Sequence, residues 1–264
     1  KNGREVWKSD GTAAGTAMIK NLQPGTEARY PVNIIAFNGE AYFDALGNAL
    51  KPNPGRELFK TDGTAAGTVL VKDIRPGGSW ASPGQFAVVG KALYFEAFGN
   101  GTGYEIYKTD GTTAGTVLLK DIRTGTGNST VRFITDVGGI GYFRANNGTN
   151  GAELWKTDGT TAGTVLVADL RVGSGSSDPT SITAMGGACY FYANDGKTGQ
   201  ELYKTDGTAA GTAIVKELRA GTLNSIGGPI VAANGTLFFR GAGPNPAGGW
   251  ELWKSDGTAA GTMI

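Results

Sequence analysis

Glu153-Leu154-Trp155-Lys156-Thr157-Asp158-Gly159-Thr160, followed by Thr161-Ala162-Gly163-Thr164, is the stretch on which the fold is read. Close variants begin at Glu5, Glu57, Glu105, Glu201 and Glu251, and each runs on into Ala or Thr and then Ala-Gly-Thr. Successive glutamates lie 48 to 52 residues apart. A period of that length marks a repeat architecture in which one supersecondary unit recurs.

Working outward from the motif, the unit between Pro179 and Gly221 holds four short strand candidates, at 181–185, 189–193, 201–205 and 212–216. The connections are too short for parallel crossovers, so neighbouring strands should pair antiparallel. The strands do not alternate apolar and polar residues as a half-buried sheet does. The second strand reads Leu93-Tyr94-Phe95 in one unit and Leu237-Phe238-Phe239 in another, and the fourth reads Val69-Leu70-Val71 and Val117-Leu118-Leu119. Leu154 and Trp155 point to opposite faces of the third strand, and both call for burial. A small antiparallel sheet with two apolar faces has to be wedged between neighbours, which the β-propeller achieves. The expected fold is therefore all-β, a propeller of four-stranded antiparallel blades in one repeat domain over 1–264. The units fall near 1–30 (half), 31–82, 83–130, 131–178, 179–228 and 229–264. A parallel β-helix is the rival, with a coil usually shorter than this period.

The first two strands occur five times and the last two occur six times. Six blades with one incomplete is the expectation, because a surplus pair would leave Val6, Trp7, Met18 and Ile19 in water. Five blades with one surplus pair is the alternative, and a window cut from a longer array is a third.

Composition excludes several function classes. Lys and Arg total 24 against 23 Asp and Glu, a net charge of +1 that gives no pull on nucleic acid or an acidic membrane. Histidine is absent, and with it the commonest general base and metal ligand. One cysteine, Cys189, forms neither an intramolecular disulfide nor a thiolate zinc cage, and its apolar strand reads it as a small buried hydrophobe. No apolar run is long enough for a membrane span. Lys1-Asn2-Gly3-Arg4 is not a signal peptide, so an export signal, if there is one, lies outside this chain. Glycine is abundant, with 45 residues and no three-residue period, as in a turn-rich β protein. No cofactor and no metal are expected.

The motif resembles the family of bacterial repeat proteins named for the ELWxxDGT repeat, which 153–160 and 251–258 match letter for letter. Val6 and Ile106 replace its Leu, and Phe59, Tyr107 and Tyr203 replace its Trp. The resemblance covers essentially the whole chain. It implies an extracellular or cell-surface location more than any chemistry. Thr61-Asp62-Gly63 with Gly67-Thr68 is also similar to the Asp-box hairpin of sialidase-like propellers, but the spacing differs and no catalytic residue carries over.

The recurring residues read as scaffold. Asp10, Asp62, Asp110, Asp158, Asp206 and Asp256 each precede a glycine, as turn chemistry requires, and one carboxylate per hairpin is too few for calcium. The motif glutamates and lysines are expected to pair or hydrogen-bond between blades. Arg75, Arg123, Arg171 and Arg219 follow the fourth strand and read as structural pins, with an anion-binding ring as the sharper alternative; Gln23 interrupts that ring. Asn100, Asn128, Asn147 and Asn234 open tripeptides that fit the N-glycosylation pattern, which such a composition produces by chance.

Function is sought where the units differ. The second-to-third and fourth-to-first connections vary most, and in an antiparallel four-stranded blade they emerge on one side. Trp80, Trp250, Tyr104 and Tyr30 are the candidate ligand-binding aromatics there, suited to sugar rings. The leading reading is a non-enzymatic extracellular module that binds a glycan, adheres or forms filaments, its partner a glycan or another copy of itself. A glycoside-acting enzyme is the second reading, with Asp44, Glu96 and Asp195 as the carboxylates outside the motif. A structural spacer in a longer array is the third.

Overall fold

The computed structural model describes residues 4–22, 31–47, 54–243 and 249–264. Among them every regular element is a β-strand, and the strands form six antiparallel sheets in chain order. The chain divides into two compact units, Lys1–Asn128 and Ser129–Ile264.

In the first unit, β1 (Val6–Lys8) pairs with β2 (Ala17–Lys20) as a two-stranded sheet. The second sheet runs β3 (Val32–Phe37), β4 (Glu40–Leu46), β5 (Arg56–Thr61) and β6 (Val69–Lys72). The third runs β7 (Gly84–Val89), β8 (Ala92–Gly99), β9 (Gly103–Thr109) and β10 (Val117–Lys120). In the second unit, β11 (Arg132–Val137), β12 (Ile140–Asn146), β13 (Ala152–Thr157) and β14 (Val165–Ala168) form one sheet. β15 (Thr180–Met185), β16 (Ala188–Asn194), β17 (Gln200–Thr205) and β18 (Ala213–Lys216) form the next. β19 (Ile226–Ala233), β20 (Thr236–Ala242) and β21 (Trp250–Ser255) form the last, where a single bridge, Lys254 to Met263, stands in for a fourth strand. These are propeller blades, six of them, with the first lacking its opening hairpin.

Within each unit neighbouring sheets pack on one another through their apolar faces. Tyr42, Leu58 and Val71 share a core with Leu93, Phe95 and Tyr107, and Tyr142, Leu154 and Val167 share one with Cys189, Phe191 and Tyr203. A leucine fully buried in this way contributes about 1.5–3 kcal/mol. The incomplete first blade meets the expectation only in part. Val6 is buried with Phe43 and Phe59, but Trp7, on the other face of this two-stranded sheet, is 60% exposed.

The motif aspartate builds the turn. Asp158 Oδ1 accepts the backbone N–H of Thr160 at 2.8 Å and its hydroxyl at 2.7 Å. The Thr160 hydroxyl in turn accepts the N–H of Gly163, and Thr164 donates back to the Thr160 carbonyl. Gly159 sits at φ +90, and a Cβ on Gly163 would fall 2.1 Å from the Asp158 carboxylate. Both glycines are thus required, one by conformation and one by space.

The first strand of each full blade carries a bulge whose residue adopts positive φ: Asn33 at 56, Gln85 at 58, Phe133 at 58 and Ser181 at 50. Only the last repeat places a glycine there, Gly228 at φ 80. Side-chain identity does not announce this conformation, because the surrounding ladder imposes it.

Candidate functional site

The motif glutamates pin loops. Glu57 accepts the N–H groups of Ile74 (2.9 Å) and Arg75 (3.3 Å), and Glu105 does the same for Ile122 and Arg123. Glu153 accepts from Leu170 N and from both the N–H and the hydroxyl of Ser177. All three carboxyls are buried, and each serves the loop leaving its own sheet, not the inter-blade pairing expected from sequence. Burial pushes Glu57 up to about 8 and Glu201 up to about 7, and the hydrogen bonds only partly oppose it. Three motif lysines act across blades, Lys8 lowering the pKa of Asp62, Lys156 that of Asp206 and Lys204 that of Asp256, in each case behind the turn's own hydrogen bonds. Lys60 instead pairs with Glu40 of its own sheet at 2.9 Å, and Lys108 acts on Asp110 of its own turn.

The arginines fold over the same loops. Arg75 donates to the Trp80 carbonyl at 3.5 Å and Arg171 to the Ser176 carbonyl at 3.4 Å. A Cβ on Gly127 would meet the side chain of Arg123 at 2.8 Å. These contacts are those of structural pins.

Within each unit a fourth-to-first loop is also clasped by backbone hydrogen bonds to two sheets. Ala81 N donates to Arg56 O, and Ala81 O accepts from Phe98 N. In the second unit, Asp178 N donates to Ala152 O while Ser177 O accepts from Asn194 N. The variable loops therefore lie together at one edge of their sheets, as the sequence reading requires.

At that edge the first unit contains a groove of about 480 Å³ lined by Arg75, Trp80, Phe98 and Tyr104, with Gly78, Ser79 and Ser82. Phe98 and Tyr104 are cross-strand partners on β8 and β9, and their rings meet edge to face at 5.1 Å. The Arg75 guanidinium lies 4.4 Å from the Phe98 ring centroid. Trp80 is 40% exposed. Two of the four expected aromatics, Trp80 and Tyr104, are thus brought together, joined by Phe98, which the sequence reading missed.

Trp80 departs from its repeat. The corresponding positions carry Asn128, Ser176 and Asn224, and each side chain accepts a backbone N–H: Tyr104 N, Ala152 N and Gln200 N respectively. An indole has a donor and no acceptor, so it cannot close the loop in that way. Aligning the repeats on the motif exposes this substitution, and the same alignment places Phe98 where other units have Leu46, Asn146, Asn194 and Ala242.

Trp250 belongs to the second unit, at the position equivalent to Tyr104, where Arg240 lies 4.6 Å from its ring centroid. Tyr30 lies outside the described residues. Of the off-motif carboxylates, Asp44 is buried in an ion pair with Arg56 at 2.8 Å, and burial pushes it up to about 6 against the pull of that arginine. Glu96 occupies the equivalent position on β8, opposite Gly84 and Ile106. Asp195 caps a turn through Lys197 N and Thr198 N. Asp44 and Asp195 thus have local structural partners, and Asp44 and Glu96 stand on different sheets.

No protein-family model matches the chain, and no curated protein matches it in sequence. Among solved structures it is similar to a puromycin hydrolase (TM-score 0.53, 13% identity, 96% of this chain and 41% of that one). It is also similar to a puromycin-hydrolyzing peptidase of Mycobacterium tuberculosis (TM-score 0.55, 12% identity, 99% and 42%). A third match comes from a study of two prolyl endopeptidases (TM-score 0.55, 12% identity, 98% and 39%). The chain spans about two fifths of the length of these structures. At such identities the likeness shows the fold alone, a β-propeller.

Proposed function

We propose that this chain is a non-enzymatic saccharide-binding propeller module of a secreted or surface-attached bacterial protein, with its site in the groove of Trp80, Phe98 and Tyr104. The observation that carries the reading is the substitution at Trp80. A position that elsewhere closes a loop by hydrogen bonding gives that up for a half-exposed indole, beside the cross-strand rings of Phe98 and Tyr104. Apolar ring faces suit the C–H faces of a pyranose, and Ser79, Ser82 and the Tyr104 hydroxyl supply polar partners for its hydroxyls. The likeness to ELWxxDGT-repeat proteins supports the extracellular location.

The test is a glycan array followed by calorimetry on the hits. Trp80→Ala should weaken binding at least tenfold, a loss of about 1.4 kcal/mol, while Trp250→Ala leaves it unchanged. A silent array, or equal affinity in the Trp80 variant, refutes the proposal.

A further inference from the structure

The groove of Trp80, Phe98 and Tyr104 has a single charged side chain in its wall, Arg75. Arg123 and Arg171 are its counterparts in the two repeats that follow. Those two run close over a glycine of the loop they pin. A Cβ on Gly127 would fall 2.8 Å from Cγ, Cδ and Nε of Arg123, and one on Gly175 would fall 2.9 Å from Cγ of Arg171. The first unit carries Ser79 at that position. Serine brings the Cβ that glycine omits, so the stem of Arg75 is denied the path its counterparts take. Its guanidinium lies over the Phe98 ring, 4.4 Å from the centroid. The repeats after Arg123 and Arg171 carry Asn146 and Asn194 where Phe98 stands, and neither offers a ring. Two substitutions thus act together: Ser79 takes the loop surface from the arginine, and Phe98 gives it an aromatic platform in the groove.

Pinning the loop leaves most of this guanidinium unspent. It has five N–H donors, and its bond to the Trp80 carbonyl is long, at 3.5 Å. Glu57 accepts the backbone N–H of Arg75 and not the side chain. Among the described residues no carboxylate forms an ion pair with the Arg75 guanidinium. A half-buried cation in a groove of rings and hydroxyls calls for an anion, and the planar fork of arginine matches the planar two-oxygen edge of a carboxylate.

Resting on the saccharide reading of this groove, we propose that its ligand is an acidic sugar, a pyranose bearing a carboxylate. Arg75 donates paired N–H groups to the carboxylate, while Trp80, Phe98 and Tyr104 face the C–H surfaces of the ring. Arg75 then sets specificity and the rings supply the shared part of the affinity.

An array of neutral, sulfated and uronate-bearing oligosaccharides, read with the full chain, is the first step of the test. Calorimetry then compares the strongest uronate binder with the same oligosaccharide after its carboxyl is reduced to a primary alcohol. The reduced form should bind about tenfold more weakly. Arg75→Gln should bring the acid down to the level of the reduced form and leave the reduced form where wild type holds it. Trp80→Ala should weaken both forms alike, and added salt should weaken only the acid. A reduced form that binds as tightly as the acid overturns the proposal. An Arg75→Gln variant that keeps the preference, or that loses both forms equally, does so too, the second because a loop pin alone would act that way. Hits confined to neutral or sulfated glycans, still dependent on Trp80, overturn the acidic ligand and leave the saccharide site standing. A silent array removes both.

Discussion

Glu57 offers a sharp test of how the repeat is held together. Its carboxyl is fully buried, accepts the N–H groups of Ile74 and Arg75, and is pushed by burial from an ordinary value of 4.5 to about 8. Between those two values the folded chain holds a proton that the unfolded chain has released. Stability from this group is therefore complete below pH 4.5 and is lost as the pH rises through 8. At about 1.4 kcal/mol for each tenfold in proton affinity, the gap sets a ceiling of about 5 kcal/mol. The loop can open locally to hydrate the charge, which brings the realised loss to about 2 kcal/mol, or about 5 °C in Tm. Glu201, pushed up to about 7, and Glu153, pushed the same way, add to the trend. The exposed turn aspartates work in the opposite sense. Hydrogen bonds from Thr64 and Thr208 hold Asp62 and Asp206 below 3.8, so their contribution is present above that value and lost as pH falls through their lowered values. Thermal unfolding should thus show a maximum near pH 5 and a decline toward pH 9, and Glu57→Gln, which keeps an acceptor oxygen and has no charge to bury, should flatten that decline. A Tm that climbs from pH 5 to pH 9, or a Gln variant that falls as steeply as wild type, would show that the buried carboxyls are not what the loops answer to.

Gly163→Ala should cost at least 1–2 kcal/mol in wild type, because its Cβ meets the Asp158 carboxylate, and much less in an Asp158→Ala background; chemical denaturation of the double-mutant cycle reads the difference. Leu202→Ala should cost about 2–5 kcal/mol and Leu252→Ala almost nothing, since only the first is buried. Burial also pushes the Cys189 thiol up, so a thiol reagent should label it at the rate of unfolding, and rapid labelling of the native protein would contradict its place in the core.

The architecture was legible because the motif does so much local work. Asp, Gly, Thr and the second Gly each have one physical task in the turn, and the pairing of apolar residues on both faces, as at Leu154 and Trp155, demands neighbours on either side. The bulges at Gln85, Phe133 and Ser181 were not legible, because positive φ there is imposed by the ladder on residues that do not favour it. Inter-blade pairing of the glutamates was the wrong expectation for a related reason. Pairing or hydrogen bonding was expected to reach the neighbouring blade, whereas Glu57, Glu105 and Glu153 meet backbone N–H groups of the loop that leaves their own sheet. At the groove, the exposed aromatics Trp80 and Tyr104 were readable as deviations from the repeat, and Phe98 was not, because an apolar residue at a strand end reads as core.

The clasp at Ala81 ties the carbonyl of Arg56 on one sheet to the N–H of Phe98 on the next through a single peptide neighbourhood, and Ser177 with Asp178 does the same in the second unit. Between the sheets so joined, a pulled chain has no seam at which one blade can peel away intact. Tearing it should proceed in steps longer than a single repeat, each rupture freeing the strands on both sides of a stitch.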